Sequence, residues 1–203
     1  MSTTINWPTE FWPREGAPRL LKNGLVHRSP LNGTPQVVQT PGERWVASLV
    51  LPPVGIRRDK ARARAAFLNR ITLGGVLVAV PMFDRPLPLG TLRGAPTLAS
   101  AVARHGNAFT FSGATPGATW LAGDCFGLGG QVFEAAEAAT VGGGGQITIN
   151  TTNRARVAIA SGTLVWSYPR VTMLCPAAEA GLGYEPGWQQ AVAVDLEEHW
   201  VPA

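Results

Sequence analysis

Strict alternation runs through Arg44-Trp-Val-Ala-Ser-Leu-Val-Leu51, the clearest pattern in the chain. Trp45, Ala47, Leu49 and Leu51 share one face, and Arg44, Val46, Ser48 and Val50 the other. That period of two predicts a half-buried strand, and Pro52-Pro53 ends it. The period then changes. Ala61, Ala65, Leu68 and Thr72 fall at helical spacing with Phe67 and Ile71 beside them, and Arg and Lys fill the remaining face. A helix is predicted over 59–73, capped by Asp59 and closed by Gly74-Gly75. Strands follow over 76–83 and 171–175. A last strand over 188–197 is expected to turn Trp188, Val192, Val194 and Leu196 inward and Gln189, Ala193, Asp195 and Glu197 outward.

Between these parts the texture differs. Residues 90–167 are rich in Gly, Ala and Thr, with strand-like runs over 97–102, 108–112, 124–128, 131–136, 146–150 and 164–167. Turn signals stand at His105-Gly106-Asn107, Pro116-Gly117, Gly129-Gly130 and along 142–145. The expected fold is therefore mainly β: a β-sandwich with one flanking α-helix, interrupted by an inserted small β-barrel domain. The sandwich takes residues 1–89 and 168–203, and the insert takes residues 90–167. The first forty residues are Pro-rich and irregular. Ile5, Trp7, Phe11 and Trp12 are too apolar for a free arm and should pack along a β edge of this subunit or of the next.

Composition sharpens the picture. With 203 residues, 45% hydrophobic and only 15% charged, the chain builds a real core and leaves a surface suited to neighbouring subunits. The net charge of +4 is local in origin: Arg57, Arg58, Lys60, Arg62, Arg64 and Arg70 face one acid, Asp59, in a single short segment. Phe67 is the only ring there and lies on the apolar side, so the segment lacks the aromatic interleaving that stacks bases, and no sequence-specific nucleic-acid binding is expected. No apolar run approaches a membrane span, and the first residues lack the basic start and apolar stretch of a secretory signal. Cys125 and Cys175 lie fifty residues apart with no C-x-x-C and no nearby His, so buried free thiols are expected and a metal site is not.

No catalytic set emerges. His27, His105 and His199 accompany no G-x-S-x-G, and each reads as a surface histidine. Glu134 and Glu137 would point to opposite faces of a strand. The glycine run 142–145 lacks the Lys-Ser or Lys-Thr of a phosphate loop, and Gly127-Leu-Gly129-Gly130 lies between strands rather than opening a helix. No cofactor is expected. Asp195 and Glu197, opposite Arg62 or Arg64 of a neighbouring copy, suggest an inter-subunit contact. Among the seven tryptophans, Trp120 is the candidate for an exposed contact on the insert.

The order of parts resembles the distal tail proteins of long, flexible-tailed bacteriophages. The resemblance is carried by Trp7-Pro8, the strand from Trp45 to Leu51 and the helical Ala63-Arg64-Ala65-Ala66-Phe67-Leu68-Asn69-Arg70. Pro81-Met82-Phe83-Asp84-Arg85, the inserted Leu121-Ala-Gly-Asp124-x-x-Gly127-Leu128-Gly129 and the closing Tyr184-Glu185-Pro186-Gly187-Trp188 continue it. It implies a structural virion subunit made in the host bacterial cytoplasm and placed at the tail tip. Such a subunit is expected to form a homo-hexameric ring joining the tail tube protein to the tail-tip hub protein around a DNA channel. It implies no catalytic residues. Arg58, Arg62, Arg64, Asp195 and Glu197 are then the candidate ring interface. Two other readings stay open: an insert that binds host-surface carbohydrate or another receptor through Trp120 and Trp166, and a hydrolase whose site is scattered along the chain.

Overall fold

The computed structural model describes residues 3–39, 42–56 and 59–199. It is mainly β with several sheets and one helix, consistent with a β-sandwich carrying a flanking helix. The principal sheet has six strands, in the order Thr4–Asn6, Leu77–Pro81, Arg170–Leu174, Val192–Glu198, Arg44–Leu51, Arg19–Leu21. Thr4–Asn6 runs parallel to Leu77–Pro81, and the remaining neighbours pair antiparallel.

One face of this sheet is dry. Trp45, Ala47, Leu49, Leu51, Val78, Val80, Val171, Met173, Val192, Val194 and Leu196 are buried in one cluster with Phe67, Leu68 and Ile71 of the helix Asp59–Ile71. The alternation over Arg44–Leu51 therefore does what it predicts, because an antiparallel strand with one packed face needs every second side chain apolar. Trp7 and Phe11 join the same core of this chain, while Trp12 is exposed beside Phe83. Trp7 packs edge-on against Phe67 (5.3 Å) and Phe83 (5.7 Å) and donates its indole N–H to the Phe11 carbonyl at 2.9 Å. The helix stops at Ile71, and a 3-10 turn, Thr72–Gly74, follows.

The C-terminal strand differs from expectation. It is two strands: Trp188–Gln189 pairs with Tyr184–Glu185 and Val54–Gly55 in a small sheet, and Val192–Glu198 joins the principal one. The break inverts the alternation at its start, so Trp188 is 55% exposed and Gln189 is fully buried. Val192, Val194 and Leu196 point inward as expected.

The insert has its own core, in which Phe109, Phe111, Trp120, Phe126 and Phe133 pack together, with Phe109 and Phe133 centroids 4.4 Å apart. Its strands do not close into a barrel. They form three small sheets: Thr97–Leu98 with Ala108–Ser112 and Ile147–Asn150, Cys125–Leu128 with Gln131–Glu134, and Thr119–Trp120 with Ala139–Thr140. The strand expected over 164–167 contributes a single bridge, Val165 to Gly127. Strands of two to five residues separated by glycine turns are too short to make a continuous ladder.

The insert is seated firmly on the rest. Cys125 and Val132 belong to the principal core, and the Trp45 indole donates to the Val132 carbonyl at 3.1 Å. The buried Asp124 carboxylate accepts from the backbone N–H groups of Leu89, Gly90 and Leu121 at 2.8 to 3.0 Å. A side chain at Gly90 would stand 2.3 Å from the Thr119 carbonyl, so only glycine passes there. Arg85 holds Glu134 at 2.8 Å and the Gly123 carbonyl at 3.2 Å.

Candidate assembly surface

Local chemistry separates the sequence candidates. Arg58 lies outside the described residues, with Arg57 and Trp200. Arg62 is exposed on the outer face of the helix, beside exposed Lys60 and Arg70. Arg64 is not on that face. It is 1% exposed, pointing inward with Ala61, Phe67, Leu68 and Ile71. Its Nε donates to the Gln189 side-chain oxygen at 2.7 Å, and its terminal nitrogens donate to the carbonyls of Pro52, Gln189 and Gln190. Burial lowers its pKa, yet an arginine stays charged at neutral pH. Arg64 thus ties the helix to the small sheet and is no surface contact.

Asp195 and Glu197 sit on the open face of the principal sheet. Each already has a partner within the chain: the Ser48 hydroxyl donates to Asp195 at 2.6 Å, and Arg44 pairs with Glu197 at 3.1 Å. The helix packs on the opposite face, so one chain does not bring these acids to Arg62. Trp120 is fully buried inside the insert, 6.1 Å from Phe126. The aromatic and aliphatic side chains of that core leave it no outward path, so it is not an exposed contact. Trp166 donates its N–H to the Gly94 carbonyl at 2.8 Å, and the Arg93 guanidinium lies 5.0 Å over its ring. Neither tryptophan offers an open stacking platform.

An exposed apolar surface lies where the sequence reads as irregular. Gly24–Arg28 and Pro35–Gln39 pair antiparallel as a two-stranded hairpin. Every residue of Gly24–Arg28 is exposed. Leu25 faces Val38 across the ladder and Val26 faces Val37, and adjacent pairs point to opposite sides. Each face of the hairpin therefore carries one exposed apolar pair: Leu25 is 66% exposed, Val26 62%, Val37 58%, and Leu31 at the tip 96%. The tip is built by Gly33 at φ 70°, with the Gly33 N–H donating to Ser29 and the Thr34 N–H to the Asn32 side chain. Asn32-Gly33 between two apolar pairs was the available signal. Pro30 and Pro35 concealed it, because proline removes ladder donors and reads as loop.

Among the described residues, no group of three or more His, Cys, Asp or Glu side chains converges, and no helix is long and apolar enough to cross a membrane. His27 is exposed on the hairpin, His105 is exposed in a turn, and the half-buried His199 donates its backbone N–H to the Thr172 carbonyl. Burial raises the pKa of both cysteine thiols, that of Cys125 to about 12, and both are free. No protein-family model matches the chain, and no curated protein matches it.

Proposed function

We propose that the chain is a non-enzymatic assembly subunit that forms a ring at the tip of a bacteriophage tail, between the tail tube protein and the tail-tip hub protein. The hairpin from Gly24 to Gln39 carries this reading. An isolated two-stranded hairpin is marginal in water, and one with apolar residues on both faces gains stability by burying both. A neighbouring copy supplies that burial in a closed ring, where each subunit gives its arm to the next and receives one in turn. The open face of the principal sheet, with Val46, Val50 and Ala193 between its charged pairs, is a matching acceptor surface.

Negative-stain electron microscopy and light scattering of the purified chain over a concentration series test the reading. Rings with an open centre are expected, with a copy number given by rotational averaging. Replacing residues 24–39 with a short Gly-Ser linker should yield folded monomers. Rings that persist without the hairpin, or monomers at every concentration for the intact chain, would count against the proposal.

A further inference from the structure

A second surface is independent of the ring reading. Four distant segments meet at a cleft of about 250 Å3 lined by Glu43, Arg44, Arg104, His105, Arg154, Arg156 and Glu198. It holds four guanidinium groups and one imidazole against two carboxylates. The carboxylate of Glu198 is already committed: it accepts from Arg156 at 2.5 Å and from the Trp45 N–H at 2.7 Å. Arg44 is held by Glu197. Among the described residues, Arg104 and Arg154 have no carboxylate within 4.0 Å.

Arg156 and the backbone around the cleft are held in place within the chain. Arg156 also donates to the Glu43 carbonyl, and its own N–H donates to the buried Gln131 at 2.9 Å. The turn bearing Arg104 and His105 is pinned by the His105 N–H to Ala155 (2.6 Å) and by the Ala155 N–H to Gly106 (2.8 Å). His105 adopts φ 69°, a conformation uncommon outside glycine, which those two bonds hold in place. Like charges gathered on fixed walls repel one another, and an anion placed between them removes that cost. Forked guanidinium groups match the oxygens of a tetrahedral oxyanion, and the volume suits one such group with a small substituent.

We propose that this cleft binds a phosphate group, with Arg104 and Arg154 as its principal donors. Calorimetric titration of the full chain with inorganic phosphate, against sodium chloride at equal ionic strength, is the test. Dimethyl phosphate in a parallel titration separates a diester source from free phosphate. Saturable phosphate binding is expected, weakened at least roughly tenfold by each of Arg104→Ala and Arg154→Ala, the worth of one charge-assisted hydrogen bond. Arg62→Ala, on the helix, should bind as the parent does. Arg104→Lys and Arg154→Lys keep the charge but lose the fork, and they serve where an alanine variant does not fold; each should bind measurably more weakly than the parent. Phosphate that binds no better than chloride overturns the proposal. So does unchanged phosphate affinity in the folded arginine variants.

Discussion

The Arg64 guanidinium and the Gln189 amide meet at 2.7 Å with both side chains buried, joining the single helix to the small sheet. No carboxylate takes part. The charge is spread over one side-chain and three backbone acceptors, so each buried oxygen depends on the same cation. Removing a charged partner from a buried network leaves the others desolvated and unpaired. Arg64→Met should lower the stability of the monomer by about 2–4 kcal/mol in chemical denaturation. Were Arg64 an inter-subunit contact, the monomer would keep its stability and only assembly would suffer, so unfolding of dilute protein separates the two roles.

The two faces of the hairpin should be separable. Threonine keeps strand propensity while removing apolar surface. Leu25→Thr with Val38→Thr strips one face, and Val26→Thr with Val37→Thr strips the other. Because these positions are exposed in the monomer, each pair should leave its unfolding midpoint within about 0.5 kcal/mol of the parent. Each should shift the concentration at which rings form upward by roughly tenfold or more, since about 1–2 kcal/mol of burial per contact is lost. Sedimentation velocity reads both outcomes; a pair that changes neither quantity would show that its face is not covered in the proposed ring.

The thiols should be silent in the native protein. Cys125 lies in the principal core with Trp45, and desolvation, only partly opposed by Arg85, pushes its pKa up to about 12. The thiolate is the reactive form, so at about pH 8 almost none exists. A colorimetric thiol reagent should find no fast-reacting cysteine in folded protein and two after denaturation. Prompt labelling of Cys125 without denaturant would mean that the seat of the insert opens readily.

Glu198 should make stability depend on pH. Burial raises its pKa above the usual carboxylate range, against the opposing pull of Arg156 and the Trp45 N–H. An acid with a raised folded-state pKa favours folding in its protonated form. That contribution is complete below the unfolded value and is lost as pH rises through the folded one. Denaturation midpoints of the parent and Glu198→Gln, measured from about pH 4 to pH 8, should therefore diverge in the variant's favour as pH rises. Parallel curves would show that the ion pair with Arg156 fully offsets the desolvation.

Trp120 should matter for folding alone. Trp120→Ala removes a fully buried indole from the aromatic cluster of the insert and should cost about 3–5 kcal/mol. A glycan array should give the same result before and after the change in protein that remains folded.

The chain's own letters determined the elements that rest on local period. Alternation over Arg44–Leu51 and spacing over the helix were legible because one strand face or helix stripe must be apolar wherever it meets a core. The buried residues of the second core fall between Leu92 and Leu164, but Cys125 and Val132 of the same stretch pack in the first. Tertiary structure decided the rest. Arg64 belongs by type to the solvated face of a basic helix, and only the convergence of Gln189, Gln190 and Pro52 makes its burial tolerable. The break that turned Gln189 inward and Trp188 outward follows from that same partnership. Trp120 and Trp188 exchanged the roles their positions suggested, since period says which side chains share a face but not which face is covered. The cleft of Arg44, Arg104, Arg154 and Arg156 was illegible for the same reason: its charges come from segments far apart in the chain, and nothing short of the folded chain brings them together.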